Sequence, residues 1–173
     1  MQNFFYLSLY FVLFLSLLKQ SNTLSILFPF GPINGDESMF LNDDQSLGPI
    51  QISTSFLFFN QTFESVYVNT NGILSFNRHS IIAEYRPRAF PIDNLVGIAP
   101  LWCDVDIRNG GQVYYREILD ELQLNMIGNE IRLAFSNFIN FRPTWAYTIT
   151  WHKVAPFDGI LLYILFTPKM LFK

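Results

Sequence analysis

The tetrapeptide Asn69-Thr70-Asn71-Gly72 stands between two runs, residues 64–68 and 73–76, that are rich in β-branched and aromatic side chains. Asn-Gly accepts the positive φ angles of a tight reversal, so the segment predicts a β-hairpin and commits the middle of the chain to antiparallel sheet. Further strand candidates flank it. Residues 52–59 are an apolar run before it, and residues 96–102 are one after it, of strand length and expected to be buried on both faces. Asn109-Gly110-Gly111 is a second turn signal, and with residues 112–116 it predicts a second hairpin over 102–116. Residues 145–151 alternate large apolar with small side chains, which puts Trp145, Tyr147 and Trp151 on the core-facing side of a strand. Asp158-Gly159 is another turn, and residues 160–166 predict a last strand.

One stretch breaks this pattern. Between residues 117 and 135, Ile118, Leu122 and Met126 recur at spacings of four, as do Ile127 and Ile131, while Glu117, Asp120 and Glu121 gather where a helix dipole favours acids. The spacing predicts one amphipathic helix, weakened at Gly128. The fold class that follows is β-rich α+β: a mostly antiparallel sheet or sandwich with one helix. With 173 residues, half of them hydrophobic and 19 Phe, 8 Tyr and 3 Trp among them, the chain has ample material for a core and is too apolar for disorder. Its net charge of −3 supplies no basic field, which excludes nucleic acid as a partner.

Residues 4–18 are apolar apart from Ser8 and Ser16, and the run stops at Lys19-Gln20. That length fits the hydrophobic region of a secretory signal better than a membrane span. Residues 1–23 are read as a signal peptide and 24–173 as a single domain, with no stable span after cleavage. The single cysteine, Cys103, permits no intrachain disulfide and is read as a buried, inert thiol, with pairing to another chain as the alternative. Asn60-Gln61-Thr62 is an N-linked glycosylation sequon between two apolar runs, in keeping with secretion.

Catalytic devices are scarce. His79 and His152 belong to no motif and read as surface residues, and neither a nucleophile elbow nor a phosphate-binding glycine loop is present. No residue is assigned to catalysis, to a cofactor or to a metal. The one arrangement able to carry chemistry is Asp104-Val105-Asp106, because carboxylates two residues apart on a strand point the same way and could hold a divalent cation. It resembles the D-x-D of metal-dependent glycosyltransferases, so an enzyme using Asp104 and Asp106 is the alternative function. The competing reading has both aspartates capping turn amides and pairing with Arg108 or Arg116. Asp36, Glu37, Asp43 and Asp44 form a second acidic group without the spacing of a calcium-binding loop, read as a solvated loop.

Several segments together resemble the NIDO, or nidogen extracellular, domain family. They are Phe28-Pro29-Phe30-Gly31 with Asn34-Gly35-Asp36, then residues 56–63 running into 66–76, then Ile98-Ala99-Pro100-Leu101-Trp102-Cys103-Asp104-Val105-Asp106. Residues 110–116, Pro143-Thr144-Trp145 and Thr150-Trp151-His152-Lys153-Val154 complete the set, in family order across 27–154. The resemblance implies a secreted, β-rich, non-catalytic module of the extracellular matrix, acting in cell–matrix adhesion by binding matrix or cell-surface proteins. It also sets Cys103 where the family usually has a small residue. Residues 155–173 match the family poorly, which leads to the expectation of a shortened domain with an open sheet edge, marginal stability or self-association.

Overall fold

The computed structural model describes residues 28–77, 84–87, 89, 91–158, 164–166 and 169–171. The signal-peptide reading of residues 1–23 and the reading of His79 lie outside them. A 3-10 turn at Pro32–Asn34 precedes strand β1 (Glu37–Ser38), followed by β2 (Ser46–Phe58), β3 (Gln61–Asn69), β4 (Leu74–Ser75), β5 (Gly97–Ile98) and β6 (Gln112–Ile118). Helix α1 (Glu121–Ala134) and a 3-10 turn at Ser136–Phe138 lead to β7 (Ala146–Val154), β8 (Ile164–Phe166) and β9 (Lys169–Leu171). The strands form two antiparallel sheets, one ordered β2-β3-β4-β5, the other β1-β6-β7 with β8 and β9 both paired to β7. The described residues are β-rich with one helix, and of the expected sheet or sandwich the two layers make a sandwich.

The core lies between the sheets. Phe56, Val66, Val68, Leu74 and Phe76 from one sheet meet Val113, Tyr115, Tyr147, Ile149 and Trp151 from the other. Phe56 stacks on Trp145 with centroids 5.7 Å apart and planes 14° from parallel. Burying side chains of this size stabilises by about 1.5–3 kcal/mol each, so the interleaved aromatics dominate the folding energy.

The Asn-Gly hairpin forms where the residues predict it, with Tyr67 opposite Ser75 and Val68 opposite Leu74. Residues 52–59 are part of a longer strand that starts at Ser46 and ends at Phe58. Phe59 and Asn60 instead make the two-residue reversal into β3, with φ of 45° and 62°, the mirror-image turn that suits twisted strands.

Residues 96–102 do not form the buried strand expected of them. Only Gly97–Ile98 pairs, with Leu74–Ser75, and the run is half-buried throughout. Pro100 offers no N–H to a ladder, and Leu101 turns back to donate its N–H to the Gly72 carbonyl at 3.3 Å. The second predicted hairpin over 102–116 is also absent. Val105 makes an isolated bridge to Pro156, and residues 112–118 pair along their whole length with β7.

That pairing also moves the helix boundary. Glu117 and Ile118 sit in β6 opposite Tyr147 and Ala146, so the helix starts only at Glu121, capped by Asp120 accepting from the Gln123 N–H at 2.9 Å. Its buried face is Leu124, Ile127 and Gly128, with Ile131 partly covered. Leu122, expected inside, is 76% exposed, and Met126 is exposed as well. Gly128 is a contact point: a Cβ there would lie 2.8 Å from the Pro143 ring, so glycine lets the loop before β7 press against the helix.

Strand β7 is buried on both faces, where one was expected. Trp145 leads into it, and Tyr147, Ile149 and Trp151 face the sandwich interior, as the alternation predicts. On the other side Ala146 packs with Phe28, Ile118, Leu124 and Ile127 beneath the helix. Residues 146–148 and 151–154 of β7 find partners in β9 and β8. The expected open edge is therefore not seen at this strand. Of the predicted strand at 160–166, Ile164–Phe166 is a strand and the rest lies outside the described residues.

Candidate functional site

The reversal at Asn69-Thr70-Asn71-Gly72 is completely buried, which is unusual for a turn and demands that every polar group find a partner. Asn69 Oδ1 accepts from the Asn71 N–H at 2.7 Å, and the Thr70 hydroxyl donates to the Asp43 carbonyl at 2.5 Å while accepting from the Gln45 N–H at 3.1 Å. Asn71 is the hub. Its Oδ1 accepts from the Val105 N–H and its Nδ2 donates to Asp44 Oδ1, both at 2.7 Å. The Asn71 side chain thus fastens the acidic opening loop and the segment after Trp102 to one point. Gly72, at φ 85°, lies so close to this segment that a Cβ would sit 1.5 Å from the Leu101 carbonyl oxygen.

The two acidic groups, sixty residues apart in sequence, consequently meet. Carboxylate oxygens of Asp43, Asp44 and Asp104 lie within 4.8 Å of one another. Burial, reinforced by the neighbouring carboxylates, raises the pKa of both Asp43 and Asp104. Asp106 does not join them. Residues 104–107 are not in a ladder, so the two-residue alternation that would aim Asp104 and Asp106 together does not operate. Arg108 takes both Asp106 oxygens, Nε to Oδ1 at 2.9 Å and Nη2 to Oδ2 at 2.8 Å, and Asn109 adds a bond at 3.0 Å. The Arg108 guanidinium holds the Asp106 carboxyl below its ordinary value. The same Nη2 reaches Asp43 Oδ2 at 3.0 Å. The turn-and-arginine reading of Asp106 holds, with Arg108 as the partner and not Arg116.

Chemically, the three clustered carboxylates could offer oxygens to a hard cation, which requires about six to eight ligands. Such an ion would compete with Asn71 and the Tyr85 N–H for Asp44 Oδ1, and with Arg108 for Asp43. The Cys103 thiol beside them is half-buried, and burial together with Asp104 pushes its pKa up to about 11, so it is a poor nucleophile at neutral pH.

Asp36 is not solvated as expected, whereas Glu37 is exposed, though in strand β1 and not in a loop. Asp36, its side chain 2% exposed, pairs with Arg116, which also donates to Pro29 O and Gln123 Oε1 at 3.0 Å and lies over the Phe28 ring. Glu37 accepts from the Tyr115 hydroxyl at 2.9 Å, and burial with this bond pushes the Tyr115 pKa up to about 12. His152 is likewise no ordinary surface residue. Its ring packs 4.8 Å from Phe30, and burial lowers its pKa. Asn60, the sequon residue, is exposed at the β2–β3 reversal. Among the described residues no helix is long and apolar enough to cross a membrane.

In the sequence Asn71 reads as a turn residue and nothing more. Only its burial reveals the linking role.

The family described as "Nidogen-like domain" matches residues 64–160, a span that includes the Asn71 hub, Asp104 and Asp106. Alpha-tectorin of Gallus gallus is 33% identical over 141 residues, 81% of this chain and 6% of that protein. Nidogen-1 of Mus musculus is 36% identical over 135 residues, 77% of this chain and 11% of that protein. Dendrite extension defective protein 1 of Caenorhabditis elegans is 31% identical over 141 residues, 80% of this chain and 12% of that protein. The chain thus spans between 6% and 12% of the length of these curated relatives. No solved structure matches it.

Proposed function

The chain belongs to the nidogen-like domain family, and from that premise we propose that it is an extracellular matrix module, acting in cell–matrix adhesion by binding proteins and turning over no substrate. In this reading residues 1–23 are a secretory signal, residues 24–173 one domain, and the partners are matrix or cell-surface proteins. The observation that carries it is the engagement of Asp106. With both its oxygens held by Arg108 and a further bond from Asn109, the paired-aspartate centre that the enzymatic alternative needs is not assembled from Asp104 and Asp106. What the sandwich offers in its place is a rigid frame, built by cross-sheet aromatic packing, on which loops can present a recognition surface.

The test has two arms. The secreted full chain, immobilised and exposed to a matrix extract, is expected to retain a defined matrix protein, while the heat-unfolded chain does not. Retention of the chain in the cytosol, or consumption of a glycosyl donor that Asp104→Asn abolishes, overturns the reading.

A further inference from the structure

We propose that helix α1 has a second packing face, turned away from the sandwich, and that a second copy of this chain docks on it with its own α1 running antiparallel. Along α1, Leu124, Ile127, Gly128 and Ile131 face the core. Leu122, Met126, Asn129 and Leu133 follow one another at spacings of four, three and four, which at 3.6 residues per turn sets them on one stripe, half a turn away from that face. The stripe is in water: Leu122 is 76% exposed, Met126 47% and Leu133 87%, and Asn129 is exposed as well. Such a narrow stripe, in the alternating a and d positions of two heptads, is the seam by which one helix packs on another.

Exposed apolar side chains continue at either end of the helix. Leu119 before it and Phe135, Phe138 and Ile139 after it are each more than half exposed. With the stripe they present on the order of 800 Å² per copy, the share that one partner contributes to a standard specific interface.

Charge decides what covers the face. A lipid surface draws helices whose flanks are rich in Lys and Arg, but α1 carries one cation, Arg132, against Glu121 and Glu130. A second α1 fits better. Glu121 near the start and Arg132 near the end lie on the same flank of the stripe, so a two-fold axis through its middle sets Leu122 against Leu133 of the second copy, Met126 against Asn129, and each Arg132 beside a Glu121. Antiparallel pairing also brings opposite ends of the two helix dipoles together. Asn129 is provided for within its own copy, where its Oδ1 accepts from Arg132 Nη2, so the one polar side chain in the seam enters it with a partner. The two copies meet helix to helix, with their sandwiches outermost.

Sedimentation velocity of the purified full chain is expected to show a monomer–dimer equilibrium with a dissociation constant in roughly the micromolar range. Combining Leu122→Glu with Leu133→Glu should raise that constant by about a hundredfold or more, and leave the thermal midpoint of the dilute protein within about 2 °C, since neither side chain supports the single copy. Asn129→Leu should lower the constant about tenfold. In a Cys103→Ala background, Leu122→Cys and Leu133→Cys chains should form a disulfide when mixed and not when kept apart. A wild-type chain that stays monomeric in this range overturns the proposal, and so does a dimer that the two glutamates leave intact, which puts the contact on another surface. Cross-linking of either cysteine variant by itself overturns the antiparallel arrangement. A monomer that floats with phosphatidylserine vesicles, and no longer does so with the two glutamates, assigns the face to lipid and overturns the second copy as its occupant.

Discussion

The indole N–H of Trp151 donates to the backbone carbonyl of Asn69 at 3.1 Å, across the interior of the sandwich. Trp151 lies in β7 of one sheet and Asn69 ends β3 of the other, so this bond ties the buried reversal directly to the opposing layer. Trp151→Phe should keep most of the ring burial and lose the bond. A loss of about 1–3 kcal/mol is expected in urea unfolding, and no change would show that the bond contributes nothing.

Among the described glycines, Gly72 is where an added Cβ would meet the closest contact, so Gly72→Ala is expected to be severely damaging. It combines a positive φ with a Cβ that would overlap the Leu101 carbonyl, for an expected cost of about 4 kcal/mol or more. Gly35→Ala is the control, because Gly35 has a similar φ of 84° with nothing within 4 Å of the new Cβ. That variant should lose only about 1–2 kcal/mol, and near-equal losses in the two would refute the steric account.

Replacing Asn71 by Ala removes partners from the Val105 N–H and from Asp44 together. Circular dichroism melting should register a destabilisation of about 2–4 kcal/mol. Hydrogen exchange should speed up at Val105, which a merely local defect in the turn would not do.

Arg116 and Asp36 form a buried pair, so removing the cation alone strands a buried carboxylate. Arg116→Met is expected to cost about 3–5 kcal/mol, and adding Asp36→Leu to recover a large part of it. Additive losses in the double variant would mean that the pair acts through something other than charge.

Opposite pH responses are expected at Asp104 and Asp106. A raised folded pKa means the native state binds the proton more tightly, so the contribution of Asp104 is favourable in acid and is lost as pH rises from 3.8 through its folded value. Asp104→Asn should therefore raise the thermal midpoint at pH 7 and leave it nearly unchanged at pH 3. Asp106 has a lowered pKa, so it stabilises above 3.8 and ceases to as pH falls through its folded value. Asp106→Asn should lower the midpoint at pH 7. The same sign for both variants would contradict the local electrostatics.

The residues that could be read from sequence are those whose environment is local. Asn71-Gly72 announces its reversal because the backbone requirement lies in the dipeptide itself, and Trp145, Tyr147 and Trp151 announce a core face because alternation is a property of neighbouring positions. Ile118 fits a spacing of four and Glu117 the acidic first turn of a helix, yet a long-range ladder with β7 claims both for a strand. Leu122 and Met126 follow the same false period, whereas the buried face runs through Leu124, Ile127 and Gly128. The meeting of Asp43 and Asp44 with Asp104 had no local signal at all, because it is made by Asn71, which reads as a turn residue until its burial is known. The burial of Asp36 has no local signal either, because its cation, Arg116, is eighty residues away.

The two sheets differ in how far apart their members are along the chain. Pairing from β2 to β5 is complete by Ile98, whereas Glu37 of β1 must wait for Tyr115 and β7 for residues up to Leu171. On a ribosome the first layer can close while the second is still being synthesised. Throughout that interval the face that carries Phe56 and Phe76 lacks its cover, and such transiently exposed apolar surface is what makes a partly folded chain prone to aggregate.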